Sequence, residues 1–313
     1  MKKRKSTARG KLLWAFNPFQ DNLSALQSAA QAMLGFSAQA GVEPEPVYVV
    51  SPAEVNVVLE FSVPARERYL KVSMDQARKV LKTLKIEQLR PTILIEKSLS
   101  LSASTKALAD YAESQNAQAI LAGTHSGKGL SGALLGSFAE TLLHQARCPV
   151  ILLHPGRKVG KTFSRLFFIS DLSPASLGVF GDFCDWAAAL GAEVRLFHSI
   201  PRPFSWASFA IDALIGPDRM SEKQYLILTR KLRESDVKPF QEAAKRRGVA
   251  FSYQIDIGGE DVADEAFKAA KKAKADMVGI AGKSGRLKTR LLGSITKSLL
   301  RQTKLPIWIK HCR

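Results

Sequence analysis

The residues best suited to chemistry in this chain stand in glycine-bearing loops that lead into helices. Near the C-terminus, Gly282-Lys283-Ser284-Gly285-Arg286 is followed by Gly293-Ser294 and an amphipathic stretch. Glycine permits backbone conformations and close approaches that a side chain would block. A helix start adds unpaired N–H groups and a positive dipole end, so the combination suits a phosphate. Ser294 either caps its own helix or donates its hydroxyl to that anion. From Lys283 to Lys304 there are seven basic residues and no acidic one; a solvated basic helix face beside a glycine turn would look the same. One known phosphate pattern, Gly-x-x-x-x-Gly-Lys-Ser/Thr, is excluded. It needs Gly at 277, where Met277 stands; around Gly127-Lys128 the required positions hold Ala122 and Gly129.

The same words occur twice. Ala122-Gly123-Thr124-His125-Ser126 leads to Leu134-Leu135-Gly136-Ser137 and then Cys148-Pro149-Val150-Ile151. Ala281-Gly282-Lys283-Ser284-Gly285 leads to Leu291-Leu292-Gly293-Ser294 and then Leu305-Pro306-Ile307-Trp308. The Gly-Ser pairs lie 157 residues apart, half of the 313-residue chain, and each is followed by a proline 13 positions after its glycine. A duplicated domain explains this, with copies expected at 8–155 and 162–313. Pro155-Gly156-Arg157-Lys158-Val159-Gly160-Lys161 reads as the linker between them.

Short apolar runs alternate with amphipathic ones in both halves. Strands are expected at Lys11–Phe16, Val47–Val50, Thr92–Ile95, Ala119–Ala122 and Val150–Leu153. The second set is Leu166–Ser170, Glu193–His198, Ala250–Ile255, Met277–Ala281 and Ile307–Ile309. Strand–helix alternation of this kind means an α/β fold, a parallel sheet with helices on both faces. Such sheets bind ligands beyond the carboxyl ends of their strands, where the strand order reverses.

Composition sets the limits. The chain is 46% hydrophobic and 24% charged, ordinary for a globular protein, but its net charge is +18. Residues 1–155 hold 18 basic and 12 acidic side chains; residues 156–313 hold 28 and 16, so the excess gathers in the second half. Polyanions are the expected attraction. No apolar run reaches the ~18 residues of a membrane span, and Leu12–Phe16 is too short for the apolar core of a signal peptide. Cys148, Cys184 and Cys312 are far apart and in no metal-ligand spacing, which suits a reducing cytoplasm.

An Asp after the first strand, Gly-x-x-Gly-x9-Gly-Ser before the last helix, and then Cys-Pro-Val: this order resembles the universal stress protein family, in tandem over nearly the whole chain. The resemblance implies five-stranded parallel sheets paired through the last strands, Cys148–Leu153 and Leu305–Lys310, as an intramolecular pseudo-dimer. It also implies ATP, with or without Mg, in those members that bind nucleotide. In the second domain the implied site residues are Asp171, Gly282, Gly285, Gly293 and Ser294, although Gly285 to Gly293 encloses seven residues where the family pattern has nine. In the first they are Asn17, Gly123, Ser126, Gly136 and Ser137; Asn17 replaces the family Asp and Ser126 the second Gly. The better-kept site is therefore expected in the second domain.

Asp171, ahead of Ser173-Pro174, also suits a helix cap. His198 is expected to be structural, Cys148 and Cys184 to pack as small apolar groups, and Cys312 to be exposed. His125 has no acid or nucleophile spaced beside it, so no triad is expected, and at most slow ATP hydrolysis. The apolar segments Pro203–Ile215 and Val55–Val63 are expected to pack near each other, and Lys2-Lys3-Arg4-Lys5 to form a tail. Three readings follow: a cytoplasmic tandem stress protein binding ATP in its second domain; an interaction scaffold without nucleotide, open to a further homodimer; and a protein associating with nucleic acid through its basic surface.

Overall fold

The computed structural model describes residues 10–50, 63–98, 100–124, 136–155, 160, 162–200, 222–257, 261–282 and 294–312. The first half runs β1 (Lys11–Ala15), α1 (Leu23–Ala40), β2 (Glu43–Val50), α2 (Val63–Thr83), β3 (Thr92–Ile95), α3 (Leu101–Ser114), β4 (Ala117–Gly123), α4 (Ser137–Gln145) and β5 (Val150–Leu153). The second repeats it as β6 (Arg165–Ile169), α5 (Pro174–Leu190), β7 (Glu193–Ile200), α6 (Glu222–Arg246), β8 (Phe251–Ile257), α7 (Val262–Lys272), β9 (Met277–Gly282), α8 (Ser294–Gln302) and β10 (Ile307–His311).

All ten strands form one sheet in the order β3-β2-β1-β4-β5-β10-β9-β6-β7-β8. Pairing is parallel within each half, and only the β5–β10 joint is antiparallel. In that joint Ile151 lies opposite Trp308, its own counterpart at the repeat distance of 157. A local twofold axis therefore passes between these two residues. Glu140 and Lys297 are likewise repeat equivalents, and they face each other across the axis at 3.9 Å.

Two apolar layers sandwich the sheet. One, under α1, α2, α5 and α6, contains Trp14, Phe36, Phe163, Phe168, Phe183 and Trp308. The other lies under α3, α4, α7 and α8 and is mostly aliphatic. Phe36 of α1 stacks on Phe163, and Gln39 bonds the Phe163 N–H and carbonyl, so the halves are locked across helices as well as strands.

β2 begins four residues before the expected Val47 and includes Pro44 and Pro46. Glu43 donates its N–H to Gly10 and the Val47 carbonyl accepts from Phe16, so the odd residues face β1. Pro44 and Pro46 point their missing N–H to the other side, where β3 pairs only from Val47 onward. The prolines sit where no donor is required.

Candidate functional site

In each half the direction of chain progression reverses between the first and fourth strands: β1 and β4, then β6 and β9. In the first half this switch point opens into a cavity of about 170 Å³. Asn17 and Gln20 line it from the β1–α1 turn, Gly123 from the end of β4, and Gly136 and Ser137 from the start of α4. Thus Asn17, Gly123, Gly136 and Ser137 converge as the sequence implied, while Ser126 lies outside the described residues.

Its chemistry divides in two. Phe16, Tyr48, Val49, Leu101, Leu108 and Phe138 give an apolar wall suited to a flat ring. At the other side α4 begins with Gly136 as N-cap, extended at ψ 145°, with no side-chain capping bond. The Gly136 N–H is used on the Thr124 carbonyl, which fixes the loop end against β4. The first turn of α4 is thus a helix N-terminus facing the cavity without a side-chain cap, the arrangement that attracts an anion. Asn17 spends its Oδ1 accepting from the Phe19 N–H (2.9 Å) and so offers a ligand its amide NH2. No charged side chain lines the cavity among the described residues.

Sequence reasoning had not named Phe16, Tyr48, Leu101, Leu108 or Phe138. A signal was available: Phe16 and Tyr48 sit at the carboxyl-end portions of β1 and β2, and Phe138 directly follows Ser137.

In the second domain the β6–α5 turn is fixed by serines. Ser170 Oγ accepts from the Leu172 N–H (2.9 Å) and bonds Ser176 Oγ (2.8 Å), holding Leu172 at φ +60°. The helix cap is Ser173, whose hydroxyl accepts from Ser176 N–H ahead of Pro174. Asp171 does not cap α5, contrary to expectation. It stands two residues too early, and its Oδ1 accepts from Ser173 N–H (3.1 Å), bracing the cap while the residue stays exposed. His198 is structural: it is buried, with Nδ1 2.9 Å from the Ser170 carbonyl. A carbonyl only accepts, so the proton sits on Nδ1. Burial holds its pKa below the ordinary 6.5, against the pull of that bond.

β9 ends at Gly282, where a Cβ would come within 2.8 Å of His311 Nδ1. His311 in turn faces His144 of the first domain, ring centres 5.2 Å apart. Gly285, Gly293, the Ser294 side chain, His125, segment 203–215 and most of Val55–Val63 lie outside the described residues, as does the Lys2–Lys5 tail.

Cys148 and Cys184 are held in apolar surroundings that push their thiols up to about 11 and about 12. Cys312 is half-buried rather than exposed, because its N–H extends the β9–β10 ladder to the Gly282 carbonyl. Among the described residues no three His, Cys, Asp or Glu side chains converge on a metal position, and no helix is long and apolar enough to cross a membrane.

The fold and the cavity together define a doubly wound α/β protein with an opening at a switch point of its first half, built as two copies on one sheet. The universal stress protein family model matches residues 10–154 and again 163–311, and the chain belongs to that family. A universal stress protein from Archaeoglobus fulgidus DSM 4304 superposes over 98% of this chain and 100% of its own, with TM-score 0.65 and 15% identity. A putative universal stress protein from Pseudomonas aeruginosa UCBPP-PA14 covers 97% and 94%, with TM-score 0.57 and 14% identity. A functionally unknown protein from Pseudomonas aeruginosa PAO1 covers 97% and 93%, with TM-score 0.57 and 15% identity. No curated protein matches the sequence.

Proposed function

We propose that this is a stress-response protein that binds ATP at its switch points and is not an enzyme, acting in the cytoplasm. The observation that carries the reading is the first-domain cavity, with an apolar wall on one side and a helix start lacking a side-chain cap on the other. At about 170 Å³ it is smaller than the ~300 Å³ of a full small-molecule pocket, so it takes the base while the phosphates lie over the α4 N-terminus. Asn17 supports this: an amide donor there does not repel phosphate as a carboxylate would. Any Mg rides on the phosphates, since no carboxylate lines the cavity among the described residues. The same absence leaves no positioned general base for hydrolysis.

The second domain is proposed to bind ATP through Asp171, Gly282, Gly285, Gly293 and Ser294. Its basic loop favours the anion; its seven-residue spacing favours the alternative, a scaffold without nucleotide. A nucleic-acid role rests on the +18 charge alone. Calorimetric titration with ATP of the wild type, Ser137→Glu and Asp171→Ala separates these readings. Two losses of heat, one per variant, support two sites. No heat with the wild type leaves the scaffold.

A further inference from the structure

The ten-stranded sheet ends in two unlike edges. The β3 edge has four residues and is entered through Pro91, an ordinary protection against foreign strands. The β8 edge has seven residues, Phe251-Ser252-Tyr253-Gln254-Ile255-Asp256-Ile257, with no proline and no basic side chain. Tyr253 is 46% and Ile257 39% exposed, and α6, which packs on β8, exposes Leu228 and Leu232 by 50% and 58%. Long, largely apolar edges without proline or lysine template strand pairing.

The ladder to β7 shows which backbone groups are spent. Val194 N–H donates to the Ala250 carbonyl and Val194 lies opposite Phe251, so the even-numbered residues of β8 turn their N–H and C=O toward β7. Phe251, Tyr253, Ile255 and Ile257 turn theirs outward, where β8 has no neighbouring strand among the described residues.

We propose that β8 is a homodimer interface, pairing antiparallel with β8 of a second copy about a twofold at Gln254. The strand is complementary to itself in that register. Tyr253 meets Ile255 and Phe251 meets Ile257, aromatic against β-branched on one face, the pairs that stabilise antiparallel ladders. On the other face Ser252 meets Asp256 and Gln254 meets itself, so no like charges are opposed. All four outward residues find partners at once. The chain already joins two like domains by an antiparallel strand pair about a local twofold, at β5–β10. The β8 contact would continue the same sheet, and isologous pairs of this kind are the commonest oligomers.

Sedimentation equilibrium on the full chain tests this, with Tyr253→Pro and Tyr253→Phe as variants. Proline at 253 removes an outward N–H and spares the β7 ladder, whereas phenylalanine keeps the donor. The expected result is a concentration-dependent dimer for wild type and Tyr253→Phe, and a monomer for Tyr253→Pro with an unchanged circular dichroism spectrum. Hydrogen exchange on the wild type guards against a variant that fails to fold: dilution should release the amides of Tyr253 and Ile255 but not those of Ser252 and Gln254. A wild-type monomer throughout the micromolar range, or a dimer whose Tyr253 and Ile255 amides exchange equally at all concentrations, would overturn the proposal.

Discussion

The two halves follow one path but fasten their sheets with different groups. At the third position of the shared β1–β2 and β6–β7 ladders, the first domain buries Glu45 and the second exposes Arg195. Glu45 holds the foot of its sheet: it pairs with Lys11 Nζ at 2.7 Å and accepts from the hydroxyls of Thr92 and Tyr111. Three residues on, Tyr48 of the first domain corresponds to His198 of the second. Tyr48 lines the cavity; His198 clamps the Ser170 carbonyl at the top of β6. The first domain, with its apolar opening above, is braced below by a buried carboxylate; the second has the serine–histidine brace above, and at its foot Asp276 accepts from the Ser164 and Arg165 N–H groups. Among the described residues, the same turn thus lines an opening in the first copy and carries a serine–histidine brace in the second.

The largest expected effect tests the brace at the foot. Glu45→Ala strands the Lys11 ammonium and two hydroxyls and should cost about 3 kcal/mol in urea unfolding. A loss below about 1 kcal/mol would mean that the network adds little beyond packing. Next comes the aromatic core of the second domain, where a Cβ on Gly279 would lie 2.5 Å from the Phe183 ring. Gly279→Ala should cost about 2 kcal/mol, with Leu121, its counterpart in β4, showing that the position itself accepts a side chain.

Acid acts on both domains in the same direction but in different windows. Burial, against the pull of the bond to the Ser170 carbonyl, keeps His198 neutral with a depressed pKa, so its stabilising share is complete above 6.5 and is lost as pH falls through the lower folded value. His311 behaves alike, lowered by burial and by His144. Burial would raise the Glu45 pKa, but bonds from Lys11, Thr92 and Tyr111 outweigh it and hold it below 4.5. Its share therefore survives until pH falls below the ordinary carboxylate range. Between pH 7 and pH 5, β6 and β7 amides should lose exchange protection before those of β1 and β2; simultaneous loss would contradict the comparison.

Much of this was legible in the sequence. The Gly-Ser repeat and its spacing fixed the two domains, and apolar runs such as Val150–Leu153 and Ile307–Ile309 marked the strands that join them. The early start of β2 was hidden because prolines usually end strands, and only the short reach of β3 makes Pro44 and Pro46 harmless. Asp171 read as a cap because residue type fits that role; the extra αL residue, Leu172, moves the helix start to Ser173. The apolar cavity wall was hidden for a different reason. Tyr48, Leu101 and Phe138 come from three separate elements, and apart from their places at a strand end or beside Ser137, their apolar type fits a core as well as a wall.

The central claim is that the first-domain switch point holds nucleotide despite Asn17. Calorimetric titration of ATP into Ser137→Glu measures it most directly, since Ser137 is exposed and the substitution sets a carboxylate at the helix start that faces the cavity. The account predicts at least about a tenfold loss of affinity at one site, roughly 1.4 kcal/mol, with the melting temperature unchanged and the Asp171→Ala site unaffected. ATP binding identical to that of the wild type would contradict it.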